Sequence, residues 1–367
     1  MKIVAVRLFI ALLIFLPVHV YVLRHVWSQV PFPVWGKWGI VVLAICALLI
    51  FFFASGRHID SLPMPVSAVV YRVGTAWPFI LIYLLLIYLV LDLGRLCRLV
   101  PDSFLHDSWW GAASVAAIIL TTFTWGNVHY RHKVRQSLTL TTAKALPKPL
   151  RIVMLTDLHL GYGNQREEFF RWVDIINAEH PDLVLIAGDI IDRNIRPLEE
   201  QRVWEEFHRL KAPVVACLGN HEYYAGRTGT SDFYKKAGIR LLRDEVYQTE
   251  GVTIVGRDDR INTHRKSVKT LMDGVDRSQY VILLDHQPYH LEEAEEAGVD
   301  FQLSGHTHYG QVWPVSWITD AIYEVAFGAY QKGSTRYYVS SGMGIWGGPF
   351  RIGTRSEYVV ADLVAEK

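Results

Sequence analysis

A chain of 367 residues that is 51% hydrophobic is long enough for two domains and too apolar for one ordinary soluble domain. Its formal net charge of +1 provides no global field for a polyanion, so no nucleic-acid partner is indicated. The three cysteines, Cys46, Cys97 and Cys217, are widely spaced and give neither a disulfide framework nor a cysteine-built zinc site.

Four apolar runs come first: Leu8 to Leu23, Trp38 to Ala54, Thr75 to Leu91 and Ser108 to Gly126. None contains Asp, Glu, Lys or Arg. Each approaches the roughly 20 residues that a helix needs to cross a bilayer. Trp38, Trp77, Trp109, Trp110 and Trp125 lie near the ends of these runs, where amphipathic rings favour the headgroup region. The pattern predicts four membrane helices in residues 1–130, a linker over 131–149 and a second domain over 150–367. Seven basic residues flank the terminal side of four such spans against four on the other side. The positive-inside bias therefore predicts an integral protein of the inner or plasma membrane with its C-terminal domain in the cytoplasm.

Beyond the linker, β-branched runs alternate with helical patterns, which predicts an α/β layered domain. Strands are expected at Arg151 to Thr156, Leu183 to Ala187, Val214 to Leu218, Val252 to Gly256, Val281 to Leu284, Asp300 to Leu303, Tyr337 to Ser340 and Tyr358 to Leu363. Helices are expected at Arg166 to Glu179 and around Glu199 to Leu210.

Metal-ligating residue types recur where these strands stop. The first ends in Asp157-Leu158-His159, and residues two apart share one face of an extended chain. The next two end in Gly188-Asp189-Ile190-Ile191-Asp192-Arg193 and Gly219-Asn220-His221-Glu222. In both, glycine lets the backbone turn beside a potential oxygen donor. His286-Gln287-Pro288 and Gly305-His306-Thr307-His308 follow later strands. Asp157, His159, Asp189, Asn220, His286, His306 and His308 are thus expected to gather at the carboxyl edge of a sheet, where open α/β folds bind ligands. Oxygen and imidazole donors without thiolate suit manganese, iron, zinc or similar ions, and seven suffice for two. Paired ions suit in-line displacement at phosphorus, so hydrolysis of a phosphate ester or anhydride is expected.

These ordered blocks, D-x-H, G-D-x-x-D-R, G-N-H-E, H-x-P and G-H-T-H, resemble the calcineurin-like metallophosphoesterase superfamily from about Leu150 to the C-terminus. The G-H-T-H-x-G-Q run with Ser341-Gly342-Met343-Gly344 and Arg351 is similar to its bacterial membrane-associated branch. The resemblance implies a two-sheet α/β sandwich flanked by helices, preceded here by the four-helix membrane region. It implies that Asp157, His159, Asp189 and His308 hold one divalent ion, and that Asp189 bridges to a second held by Asn220, His286 and His306. Manganese is the first expectation; iron, zinc and magnesium are the others. A metal-bound hydroxide would be the nucleophile. His221 would face the leaving group or the phosphoryl oxygens. Asp192 would either pair with His221 or cap the helix that follows, and Arg193 would contact phosphate. Tyr309 replaces the small residue of many relatives. Tyr223, Tyr224, Trp313, Trp317 and Trp346 are candidates to line an approach for a lipid tail.

The expected substrate is a phosphorylated, membrane-resident or lipid-linked molecule, with membrane lipids as surroundings. Two rival readings are a tethered phosphodiesterase of soluble nucleotides and an inactive metal-binding membrane sensor or scaffold. The oligomeric state is not encoded in any motif.

Overall fold

The structure is a computed structural model that describes residues 2–366; side chains at 2–14, 57, 227 and 228 lie outside the described set. The chain divides into two compact units, residues 1–127 and 128–367.

The first unit is helical: α1 (Lys2–Gln29), α2 (Val34–Ser55), α3 (Met64–Leu96) and α4 (Trp109–Arg131), whose last turn belongs to the second unit. Among the described residues three helices, α2, α3 and α4, rather than the expected four, are long and apolar enough to cross a membrane. The remaining run, Leu8 to Leu23, falls within α1, and its residues up to 14 lie outside the described side chains. The described part of α1 carries Pro17, His19, Arg24 and His25, which dilute its apolar character. Tyr21, His25 and Asp92 form a polar cluster where α1 meets α3, with Asp92 accepting from the Tyr21 hydroxyl at 2.7 Å and lying 3.1 Å from His25 Nε2.

The second unit contains β1 (Lys133–Thr142), β2 (Leu150–Leu155), α5 (Arg166–Ala178), β3 (Leu183–Ala187), β4 (Val214–Cys217) and α6 (Asn220–Ala225). Then follow β5 (Arg240–Leu241), β6 (Glu245–Thr249), β7 (Val252–Gly256), β8 (Tyr280–Leu284), β9 (Phe301–Ser304), α7 (Val315–Ile322), β10 (Gly328–Lys332), β11 (Thr335–Val339) and β12 (Ser356–Ala365). One sheet has the order β1-β12-β2-β3-β4-β5 and the other β10-β11-β9-β8-β7-β6. A shared apolar layer joins Ile152, Met154 and Leu185 of the first sheet to Ile254, Ile282 and Phe301 of the second. Phe169, Trp172 and Ile176 of α5 cover the outer face of the first sheet, and Leu271, Leu291 and Ala294 cover that of the second. The result is a helix, sheet, sheet, helix sandwich. Strands covered on both faces read as unbroken apolar runs, which is why β3 and β8 are wholly buried and were visible in the sequence.

Two expectations are corrected. Much of the expected linker is a strand, because β1 pairs in parallel with β12 from Lys133 opposite Ser356 to Thr142 opposite Ala365. The helix expected around Glu199 to Leu210 is two short ones, Arg196–Glu200 and Trp204–Phe207, since Arg202 between them adopts a left-handed φ of 53°.

Candidate metal centre

β2, β3, β4, β8 and β9 deliver their following residues to one place. Asp157 and His159 leave β2, Asp189 leaves β3, and His306 and His308 leave β9, all with left-handed φ between 45° and 71°. Asp and His enter this region more readily than most residues. Five instances at one edge nonetheless represent strain that the surrounding fold must hold, as is usual at functional sites.

The side chains converge in two groups. In the first, Nε2 of His159 and Nε2 of His308 lie 3.0 Å apart, with Asp157 Oδ1 at 3.7 Å and 3.5 Å from them. In the second, Asp189 Oδ2 is 3.1 Å from His286 Nε2, and the His306 ring meets that of His286 edge-on at 5.2 Å. Asp189 also reaches the first group, at 3.6 Å from His159 Nε2. The His306 backbone N–H donates to both Asp157 oxygens at 3.1 Å, tying the groups together. His286 Nδ1 bonds the Ala187 carbonyl at 2.8 Å, which turns Nε2 towards Asp189. Burial alone would raise the Asp189 carboxyl, but His286 and His221 hold it well below the usual carboxylate range.

Asn220 opens α6, is buried, and its Oδ1 lacks a hydrogen-bond partner among the described residues. Buried polar atoms are normally paired. Two imidazole nitrogens face to face at 3.0 Å likewise need a shared proton or a shared cation. Carboxylate, amide and imidazole donors without thiolate make divalent cations the fitting occupants.

The three remaining expected residues surround this core. His221 lies edge-on to His159 at 4.5 Å, and its backbone N–H donates to Asp189 Oδ1 at 2.9 Å. Its Nδ1 hydrogen-bonds the Asp192 backbone carbonyl and lies 3.6 Å from Asp192 Oδ1. The buried Asp192 carboxylate is also 3.4 Å from His159 Nδ1. It does not cap a helix: Arg196–Glu200 has Ile195 at its N-cap, without a side-chain cap bond. Arg193 is half-buried beside it.

Of the aromatic candidates, Tyr224 is exposed and meets His221 edge-on at 5.2 Å. Tyr223 instead donates its hydroxyl to Asp258 at 2.7 Å and packs half-buried against the core. Trp313, Trp317 and Trp346 are exposed at the surface.

The family model for calcineurin-like phosphoesterase matches residues 150–310. An uncharacterized metallophosphoesterase of Aquifex aeolicus is 32% identical over 237 residues, covering 61% of this chain and 89% of that one. The chain belongs to the calcineurin-like metallophosphoesterase family. A metallophosphoesterase of Helicobacter pylori strain J99 is 34% identical over 220 residues, 58% of this chain and 59% of its own length. A Danio rerio transmembrane protein with metallophosphoesterase domain is 31% identical over 227 residues, 57% of this chain and 52% of its own. The chain thus spans less than two thirds of the length of either. Three groups of its carboxylates and histidines lie close enough to hold a metal ion, and three of its described helices are long and apolar enough to cross a membrane.

Three residues given no role from the sequence hold this metallophosphoesterase site together. Glu222 is buried and accepts the backbone N–H groups of Asp189, Ile191 and Gly219 at 3.1, 2.9 and 2.7 Å. Burial and the Asp189 charge push its carboxyl up to about 7, against the pull of those N–H donors. Asn164 donates to the carbonyls of Leu158, His159 and Ile345, and accepts the Tyr130 hydroxyl at 2.5 Å. Arg351 is wholly buried and donates to the carbonyls of His308, Ser341 and Gly344. Burial pulls its guanidinium down to about 10, so it stays charged near neutrality. Arg351→Met orphans those carbonyls and is expected to cost about 2–3 kcal/mol, read as a melting temperature roughly 7 °C lower in circular dichroism. An unchanged melt would contradict that role.

Proposed function

We propose that this metallophosphoesterase hydrolyses a phosphoester or pyrophosphate bond in a membrane-resident, lipid-linked substrate, with two divalent ions, manganese foremost. The observation that carries the reading is the convergence of six donors, Asp157, His159, His308, Asp189, His286 and His306, in two groups that share Asp189, in a chain that also has three apolar helices of membrane-spanning length.

Asp157, His159 and His308 would hold one ion, and Asn220, His286 and His306 the other, with Asp189 common to both. When bound, such ions supply positive charge against phosphoryl oxygens and acidify water at neutral pH. The remaining residues orient the substrate. With Nδ1 of His221 committed to Asp192, Nε2 is the ring nitrogen left to hydrogen-bond a phosphoryl or leaving-group oxygen. Arg193, adjacent to Asp192, is the cation proposed to meet the phosphate. The proposal of a cytoplasmic active site at the inner membrane rests on the basic residues that flank the four apolar runs of the sequence.

The test is hydrolysis of bis-p-nitrophenyl phosphate, p-nitrophenyl phosphate, soluble nucleotides and a lipid-linked pyrophosphate by the full chain in nanodiscs. Turnover is expected to vanish with chelator, return with manganese and favour the lipid-linked substrate in kcat/KM. His221→Ala is expected to lose on the order of 10²-fold in kcat. Equal turnover of soluble nucleotides would indicate a tethered phosphodiesterase instead. Two bound ions with no turnover on any substrate would indicate a scaffold.

A further inference from the structure

The helix α7 is turned inside out for a globular domain. Its Ser316 is buried, while Trp317, Ile318 and Ile322 are 64%, 58% and 56% exposed. Residues 317, 318, 321 and 322 share one helical face. Trp313, one turn earlier, extends the stripe, its ring edge-on to Trp317 at 5.3 Å. From Gly310 to Ile322 the only charged residue is Asp320. Helices of soluble domains turn such a stripe towards the core, and a contiguous exposed one marks an interaction surface.

The polar side of the same helix is fastened to the metal site. Gly310, with φ +67°, packs so closely against the start of α7 that a Cβ there would lie 2.8 Å from Ser316 Cα. Tyr309 donates its hydroxyl to Asp320 at 3.4 Å. His306 and His308 lie immediately before this junction, so whatever receives the apolar face receives the site with it.

We infer that α7, with Trp313, lies in the lipid–water interface of the membrane that the chain spans. The occupant follows from the covalent structure. α4 ends at Arg131 and β1 begins at Lys133, so one residue separates a helix of membrane-spanning length from the catalytic unit. So short a connection holds that unit within a few ångströms of chain from the bilayer. Tryptophan and isoleucine on a charge-poor face are what the boundary between headgroups and acyl chains accepts. The inference deepens the proposed function, since a phosphorylated headgroup would reach the histidines without leaving the bilayer. The docking itself does not depend on turnover.

The test uses the full chain with Cys46→Ala and Cys97→Ala, and a nitroxide at Ile318→Cys, Ile322→Cys or Lys211→Cys in separate samples in phosphatidylglycerol-containing nanodiscs. Lys211 is exposed beside the amino end of β4, opposite the site. Power-saturation electron paramagnetic resonance compares access by oxygen, which partitions into lipid, with access by a nickel chelate, which does not. The oxygen-to-nickel ratio at 318 and 322 is expected to be roughly fivefold above that at 211. Equal ratios would overturn the inference, and so would labels shielded from both reagents, which would mean a protein surface covers the face. Because the readout needs no substrate, loss of the hydrolase reading and loss of the docking surface are separately visible.

Discussion

Asp189→Asn is expected to lower the metal content from two ions per chain to one or none and to reduce turnover on the order of 10³-fold. Its carboxylate lies 3.1 Å from His286 Nε2 and 3.6 Å from His159 Nε2, so one side chain serves both groups. It also accepts the backbone N–H of His221. Asparagine tolerates the left-handed φ of 53° at this position about as well as aspartate, so the backbone should stay and the loss isolates the charge. Metal analysis of the purified variant, beside hydrolysis of bis-p-nitrophenyl phosphate, decides the matter. Two retained ions with turnover near that of the parent would sink the shared-ligand assignment.

Glu222→Ala is expected to produce the largest loss of stability in the catalytic unit. Three backbone N–H groups that end on this one carboxylate would be left buried without an acceptor. At about 1–3 kcal/mol per orphaned group after partial relaxation, a cost of about 4–5 kcal/mol is expected, or roughly 12 °C in melting temperature. Glu222→Gln keeps the shape and one acceptor oxygen and should lose about half as much. Calorimetry of the full chain in detergent measures both. Equal melts for the alanine variant and the parent would mean that the loops after β3 and β4 are held by something else. Gly219 makes the same point sterically, because a Cβ there would lie 2.6 Å from the Asp189 backbone nitrogen.

The site was legible because its chemistry sits in short contiguous blocks at the ends of strands that are apolar on both faces. Asp157-Leu158-His159 follows β2 and His306-Thr307-His308 follows β9, so each block could be read without knowing its neighbours. What could not be read depends on distant partners. β1 looks like a polar linker because three of its ten residues are exposed and four more are only partly covered, and its partner β12 lies more than two hundred positions away. Glu222 belongs to a visible motif, yet its role exists only once the loops after β3 and β4 are side by side. Asp192 could have capped a helix or oriented a histidine, and only the fold turns it to His159 and His221. For Trp317 and Ile318 the composition is visible but the direction is not, since an aromatic stripe reads alike whether it packs inward or outward.

The order of the first sheet governs how this domain can be cut. The family match ends at residue 310, whereas β12, formed by the last ten described positions before Glu366, lies between β1 and β2. A fragment trimmed to the residues of that match would bare one side of β2 and, without β11, one side of β9. Unprotected edges of apolar strands are templates for self-association. Such a fragment would keep every expected metal ligand and precipitate, so a soluble catalytic unit must begin at β1 and run through β12.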